Sequence, residues 1–129
     1  MAHIVVLDDE HDLVEACQMI LESSGHRVEP LSVSKRALPV LRRVRPDLLL
    51  LDLVMPDVDG GEVLAALRGD EELCGTPVLM MSALIGGAHR AEEIGADAFL
   101  AKPFSADQLL AALSSVLDRN GQTPLRAYV

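Results

Sequence analysis

The sequence predicts an α/β fold in which five parallel strands form a doubly wound sheet with helices on both faces. Short apolar segments of strand length alternate along the 129 residues with segments whose apolar residues recur at helical spacing. The segment DLLLLDL at 47–53 is apolar on both faces, which is typical of a central parallel strand covered on two sides. Right-handed crossovers then place helices on both faces of the sheet.

The first half of the chain contains three predicted strands and two predicted helices. Pro30 lies in the second strand and, because it lacks an amide hydrogen, favours an edge position in the sheet. Gly25 marks the end of the first helix. Ser34 is the predicted N-cap of the second helix, and Pro39 is expected to kink or shorten it. The predicted strands cover 3–9, 26–33 and 47–53, and the predicted helices cover 13–25 and 34–44.

The second half contains two predicted strands and three predicted helices. Gly95 marks the end of the fourth helix. Ser105 and Gln108 have the spacing of a capping box at the start of the fifth, and Gly121 marks its end. The strands cover 76–83 and 97–103, and the helices cover 61–69, 88–95 and 105–121. One domain over 1–121 and a flexible tail over 122–129 are therefore expected.

Composition argues against several functions. The net charge of −9 should repel nucleic acid and anionic lipid, and three aromatic residues are too few for a base-stacking surface. The first twelve residues lack the basic segment of a signal peptide, and no apolar segment reaches membrane-spanning length. Cys17 and Cys74 are far apart in the sequence, so we expect reduced thiols and a cytoplasmic protein.

Polar residues close four of the predicted strands. Parallel strands place their carboxyl ends at one edge of the sheet, where ligands of this fold class bind. Asp8 and Asp9 close the first strand, and Asp52, Ser82 and Lys102 lie near the ends of the third, fourth and fifth. If the first and third strands are neighbours, the three carboxylates converge, and an all-oxygen cluster of this kind favours Mg²⁺. With a lysine and a hydroxyl nearby, the set is typical of an aspartyl-phosphate site.

Each residue of this set has an ordinary alternative role. Acids often precede a helix, Asp52 could form a turn, and a serine at a strand end is often only a satisfied hydroxyl. The hypothesis rests on the combination rather than on any single position. The four histidines lack metal-ligand spacing, the arginines within 41–47 are expected to be a solvated helix end, and no phosphate-binding glycine motif or nucleophile elbow is present.

Four blocks of this sequence together resemble the receiver domains of bacterial two-component response regulators. They are VVLDDE (5–10), LLLLDLVMPDVDGGEVL (48–64), VLMMSA (78–83) and GADAFLAKPF (95–104). They occur in the family's order, and the resemblance covers residues 3 to about 119. It implies a flavodoxin-like fold with strand order 2-1-3-4-5.

The resemblance also implies a role for each site residue. Asp52 would be the phosphoacceptor, and Asp9 and Asp52 would bind Mg²⁺ (or Mn²⁺) directly, with Asp8 acting largely through water. The main-chain carbonyl of Val54 would complete the protein ligands. Ser82 would hydrogen-bond the attached phosphoryl group and Lys102 would pair with it. Phe99 would be the switch aromatic, turning inward as the serine moves.

The implied partners are proteins. The phosphoryl donor would be a sensor histidine kinase or a histidine phosphotransfer protein, and the fourth helix, fifth strand and fifth helix would bind a downstream partner or a second copy of the chain. The chain would be either a stand-alone receiver or part of a longer regulator. The segment from Ser82 to Lys102 is a couple of residues short for the family, which predicts either a short fourth helix or a rerouted loop. Val54 and Leu84 are apolar near the attacking water, which predicts slow self-dephosphorylation.

Three rival functions remain open at this point. A phosphatase of the haloacid dehalogenase type would need a second aspartate two residues after Asp52, where Val54 stands. A degenerate receiver that binds partners without phosphorylation is opposed by the intact set of acids, serine and lysine. A flavin or nucleotide carrier is opposed by the scarcity of aromatic residues. A phosphoacceptor signalling domain, which assists its own phosphorylation and dephosphorylation rather than acting as an enzyme, is favoured.

Overall fold

A computed structural model describes residues 1–118 and the backbone of Ala127 and Tyr128. The predicted alternation of five strands and five helices is confirmed within these residues. The strands are β1 His3–Leu7, β2 Arg27–Leu31, β3 Leu48–Asp52, β4 Val78–Ser82 and β5 Ala98–Ala101. The helices are α1 His11–Ser23, α2 Ala37–Val44, α3 Gly60–Arg68, α4 Gly87–Ile94 and α5 Ala106–Leu117.

The strands form one parallel sheet in the order β2-β1-β3-β4-β5, as the resemblance implies. β2 lies at one edge, which is the position that Pro30 favours. A two-residue strand, β6 (Ala127–Tyr128), pairs in parallel with β5 at the other edge. This short pairing was not predicted from the sequence, and the rest of the predicted flexible tail, 122–126 and 129, lies outside the described residues.

The central strand β3 packs against helices on both faces of the sheet. All of its residues are buried, and the four leucines at 48–51 are fully inaccessible. Leu49 and Leu51 face the cluster formed with α2, α3 and α4, whereas Leu48 and Leu50 face the cluster formed with α1 and α5. Burial of each leucine contributes roughly 2 kcal/mol, so this strand is a rigid support for the aspartate at its end.

The second helix differs from the sequence prediction at its start. Residues Ser34–Arg36 form a 3₁₀ turn, and α2 begins only at Ala37 with Arg36 as its N-cap. The prediction that Ser34 is the N-cap is therefore wrong. Pro39 shortens the helix rather than kinking it, because it lies in the first turn, where its missing amide hydrogen leaves no helical bond unmade.

The other helix boundaries shift by a few residues. α1 begins at His11 because the backbone turns directly after the acids, and α5 ends at Leu117 instead of reaching the predicted stop at Gly121, which lies outside the described residues. The capping box of Ser105 and Gln108 is confirmed, with both hydrogen bonds present. α4 is a short helix, as predicted, and Gly95, with φ of 90°, is its C-cap. Among the described helices, none has the length and apolarity that a bilayer crossing requires.

Candidate functional site

The parallel sheet brings the predicted acids together at its carboxyl edge. Asp8 follows β1 directly and is fully buried, and Asp52 is the last residue of β3 and is 4% exposed. β1 and β3 are hydrogen-bonded neighbours, with Leu7 in register with Leu51. The two carboxylates are therefore delivered to one place by adjacent rigid strands.

These two acids and the exposed Asp9 form a potential cation site. One carboxylate oxygen from each of Asp8, Asp9 and Asp52 lies within 4.8 Å of the others. The donors are all oxygen atoms, which is the ligand chemistry preferred by Mg²⁺ and Mn²⁺ rather than by zinc. The set fits a hard divalent cation, which would offset three negative charges held close together.

Lys102 supplies a positive charge to the same cluster. It follows β5, and its Nζ lies 2.7 Å from Asp8 Oδ2 and 3.5 Å from Asp52 Oδ1. Its Nζ is also 3.4 Å from Glu10 Oε1. The lysine therefore binds Asp8 most closely and faces Asp52 at a longer distance. Glu10 was not singled out from the sequence, although it directly follows the two aspartates in the block VVLDDE.

The electrostatic environment shifts the pKa values of both Asp52 and Lys102. Burial, together with the neighbouring charge of Asp8, raises the pKa of Asp52 to about 7, although Lys102 and the Val54 amide oppose the shift. Burial alone would lower the pKa of the Lys102 ammonium, but its hydrogen bond to Asp8 and the surrounding carboxylates raise it. The site is thus deficient in positive charge, so a bound cation would favour the ionised form of Asp52.

Ser82 closes β4, the strand next to β3, and is 3% exposed. Its Oγ accepts a hydrogen bond of 2.9 Å from the Leu84 amide. Its main-chain carbonyl accepts a second of 2.9 Å from the Lys102 amide, which joins the ends of β4 and β5. The serine is therefore at the same edge as the acids, and its hydroxyl oxygen is engaged by its own loop.

Phe99 is buried between the sheet and the start of α4. It is 3% exposed and belongs to the core on the α2–α3–α4 side. A Cβ added at Gly87 would lie 2.9 Å from the Phe99 ring and 3.4 Å from the Ser82 Cβ. The first residue of α4, the buried ring and the serine are therefore packed together, and a larger residue at position 87 would force the Phe99 ring to shift.

The start of α3 also lies against the end of β3. The Gly60 amide donates a 2.7 Å hydrogen bond to the Leu53 carbonyl, and a Cβ at Gly60 would be 2.5 Å from the Asp52 carbonyl oxygen. Asp59 caps the helix by accepting a hydrogen bond from the Glu62 amide. The predicted helix over 61–69 leaves Gly60 outside it, and the Asp-Gly pair before a helix was the available signal for this close approach.

Apolar side chains flank the acidic cluster in sequence and are exposed to solvent. Val54, two residues after Asp52, is 54% exposed, and Leu84, two residues after Ser82, is 53% exposed. The Val54 amide donates a 3.3 Å hydrogen bond to Asp52 Oδ1. These loops therefore offer apolar side chains in the positions that follow the two site residues.

The cysteines are not among the side chains of the acidic cluster, although Cys17 senses the charges of Asp8 and Lys102. Both are free thiols, as the sequence predicts, with Cys17 buried in α1 and Cys74 exposed. Burial raises the pKa of the Cys17 thiol to about 11. Cys17 is consequently an inert core residue.

Residues 4–114 match the family model described as the response regulator receiver domain. The chain is 33% identical over 129 residues to the DNA-binding dual master transcriptional regulator RpaA of Synechocystis, covering 98% of this chain and 54% of that protein. It is 34% identical to the DNA-binding response regulator MtrA of Mycobacterium tuberculosis, covering 94% of this chain and 53% of that protein. The chain thus spans about half the length of these relatives.

Solved structures agree with the family match. Chemotaxis protein CheY4 of Vibrio cholerae superposes with a TM-score of 0.84 at 28% identity, covering 90% of this chain and 98% of that one. The signal receiver domain of a histidine kinase from Syntrophus aciditrophicus gives 0.85 at 29% identity, covering 95% of each chain.

Proposed function

This chain belongs to the response regulator receiver domain family, and on that premise we propose that Asp52 accepts a phosphoryl group from a phosphohistidine. The observation that carries the proposal is the buried Asp52 carboxylate, held beside two further acids with a lysine Nζ 3.5 Å away. Burying an ionised carboxylate costs free energy unless a positive charge lies nearby. The same positive charge would stabilise the phosphoryl group during its transfer.

The transfer is a substitution at phosphorus. A carboxylate oxygen of Asp52 forms the new O–P bond as the N–P bond of the donor breaks, and the leaving imidazole takes up a proton. Asp8, Asp9 and Asp52 would hold Mg²⁺, with the Val54 carbonyl as a further ligand. When bound, this ion neutralises charge on the transferring phosphoryl oxygens.

Lys102 and Ser82 complete the proposed site. In the present state Lys102 binds Asp8 at 2.7 Å and Ser82 Oγ accepts from the Leu84 amide. After transfer, Lys102 would pair with the new phosphoryl oxygens and the Ser82 hydroxyl would donate to them. Because Ser82, Gly87 and Phe99 are packed together, a movement of the serine would displace Phe99 and the start of α4.

The proposed output is a change in protein binding. Phosphorylation would shift the population between two arrangements of the face made by α4, β5 and α5, and thereby its affinity for a downstream protein or a second copy. A sensor histidine kinase or a histidine phosphotransfer protein would be the donor, and we propose that the transfer takes place in the cytoplasm. The family is a signalling family. We propose further that the domain assists its own phosphorylation and dephosphorylation.

Intact-mass measurement after incubation with acetyl phosphate and Mg²⁺ tests the proposal. We expect one added phosphoryl group on the native chain and none on the Asp52→Asn variant or after chelation of the metal. Absence of an adduct on the native chain at short times and in donor excess would instead support a phosphorylation-independent binding module. An adduct that persists on the variant would show that another residue is the acceptor.

A further inference from the structure

We propose that the exposed face of α2 is a docking surface for an acidic segment of a partner protein, and that this docking is independent of phosphorylation. We call this surface the basic face and define it by four exposed residues on the 3₁₀ turn and helix. They are Lys35, Arg36, Arg42 and Arg43. The proposal goes beyond the phosphoryl transfer described above and does not depend on it.

The basic face concentrates charge of one sign on an acidic protein. Residues 27–45 hold six of the eleven lysines and arginines but only one of the twenty acidic residues, Glu29. The chain as a whole carries a net charge of −9. Since charges are screened within about 8 Å at physiological ionic strength, a docked partner would sense this local positive field rather than the net charge.

Helix geometry aligns these cations on one side. Ala37, Val40 and Leu41 of α2 are buried in the core, which leaves the opposite side to solvent. Arg36 and Arg43 are seven residues apart, close to two helical turns, so they lie on the same side and about 10 Å apart along the axis.

Helix stability does not explain the cations at the start of α2. Arg42 and Arg43 in the last turn interact favourably with the helix dipole. Lys35 and Arg36 precede the first turn, where the dipole favours acids, and the N-cap residue Arg36 makes no side-chain capping hydrogen bond. The first turn contains no acidic residue either. Two cations are thus placed where the helix itself disfavours them.

Most of these cations have no acidic partner within the described part of the chain. Arg42 binds Asp70 at 2.9 Å, but Lys35, Arg36 and Arg43 make no ion pair with any carboxylate of residues 1–118. Three exposed guanidinium or ammonium groups are therefore available to an external anion. Arginine is suited to this role because its planar group binds carboxylates through two parallel hydrogen bonds.

The surface favours an acidic protein segment over nucleic acid. Residues 27–45 contain no aromatic side chain for base stacking, and an extended polyanion would be repelled by the rest of an acidic domain. Val33, which is 44% exposed, and the exposed Pro39 add small apolar contacts beside the cations. Carboxylates interspersed with apolar side chains, as on an acidic amphipathic helix, match this mixture.

The position of the basic face explains why its binding would not follow phosphorylation. α2 follows β2, which is one edge of the sheet, whereas β5 is separated from β2 by β1, β3 and β4. The proposed switch face of α4, β5 and α5 therefore lies toward the other edge of the sheet, with α3 between α2 and α4 on the sheet face that they share. A partner on α2 could hold the domain in place while the switch face remains free.

The test uses a fluorescent synthetic peptide with glutamates at helical spacing and a matched peptide with glutamines in their place. Binding is measured by anisotropy at low and at physiological ionic strength. We expect the native chain to bind only the acidic peptide, with Arg36→Asp weakening it about tenfold and Arg36→Lys changing it little. Because aspartate is a good N-cap, Arg36→Asp should also raise the melting temperature, which separates lost binding from lost folding.

Several outcomes would overturn the proposal. One is the absence of acidic-peptide binding at low ionic strength, and another is equal binding by the native chain and Arg36→Asp. Tighter binding of duplex DNA or of vesicles containing anionic lipid would assign the face to those ligands. Self-association that Arg36→Asp abolishes would make a second copy the occupant. Acidic-peptide binding by the native chain that is unchanged after phosphorylation with acetyl phosphate and Mg²⁺, with Asp52→Asn treated in the same way as the control, would support the claimed independence from phosphorylation. A change in binding seen only in the phosphorylated native chain would contradict it.

Discussion

Replacing Asp52 by asparagine should stabilise the metal-free protein at neutral and alkaline pH. The pKa of Asp52 is raised from an ordinary 3.8 to about 7 by burial and by the charge of Asp8. The folded state therefore binds its proton more tightly than the unfolded state does. Stability is lost as the pH rises from the unfolded pKa to the folded pKa, and the loss is complete above about 7. Asparagine removes this loss and can still accept the hydrogen bond of the Val54 amide.

The size of the effect follows from the shift. One pKa unit corresponds to about 1.4 kcal/mol, so Asp52→Asn should gain a few kcal/mol in unfolding free energy at about pH 8. For a domain of this size that is roughly 5–15 °C in melting temperature. The gain should shrink as the pH falls and vanish only below about pH 3, where the carboxyl is protonated in both states.

Thermal unfolding in chelator and in Mg²⁺, followed by circular dichroism, measures this difference. In Mg²⁺ the native chain should recover most of the gap, because the cation compensates the acidic cluster, whereas Asp52→Asn should respond less. A native chain more stable than the variant in chelator at about pH 8 would refute the reasoning, as would a gap that does not depend on pH.

Three further predictions concern packing, lifetime and thiol reactivity. In denaturant titrations, Gly60→Ala should lower the unfolding free energy by about 1–3 kcal/mol, because its Cβ would meet backbone atoms at 2.5 and 2.8 Å. Gly75→Ala is the control: no atom lies within 4 Å of its Cβ, so it should change the unfolding free energy by less than about 0.5 kcal/mol. If Asp52 is phosphorylated as proposed, the phosphoprotein should decay slowly, and Val54→Asn should shorten its lifetime several-fold in timed intact-mass measurements, because an amide can orient water where the valine cannot. A thiol reagent should modify the exposed Cys74 in the native protein and reach Cys17 only after unfolding, as read by peptide mass mapping.

Each of these predictions has a result that contradicts it. If Gly60→Ala and Gly75→Ala lowered the unfolding free energy equally, the close approach of α3 to β3 would not be the cause of the loss at Gly60. A phosphoprotein lifetime of only seconds in the native chain would contradict the expected slow decay. Rapid labelling of Cys17 in the folded protein would mean that α1 opens far more readily than its burial indicates.

The sequence by itself determined the architecture and the edge of the sheet at which the candidate site lies. Apolar segments such as Leu48–Leu51 have the length and two-sided character of buried parallel strands, and the polar residue that ends each such segment must emerge at one edge. Asp8, Asp52, Ser82 and Lys102 could therefore be assigned to one edge of one sheet without coordinates. The capping box of Ser105 and Gln108 and the helix stop at Gly95 could also be predicted, because each depends only on residues close together in the sequence.

The tertiary structure alone decided how these groups interact. Which carboxylate Lys102 binds most closely, and how far burial raises the pKa of Asp52, depend on distances between strands that are remote in sequence. The atoms that crowd Gly60 and Gly87 belong to Asp52, Leu53, Ser82 and Phe99, and only the folded chain brings them close. Ser34 was wrongly assigned as an N-cap because a 3₁₀ turn delayed the start of α2. Local propensity fixes the elements, whereas electrostatics and close packing act through space and appear only when the chain is folded.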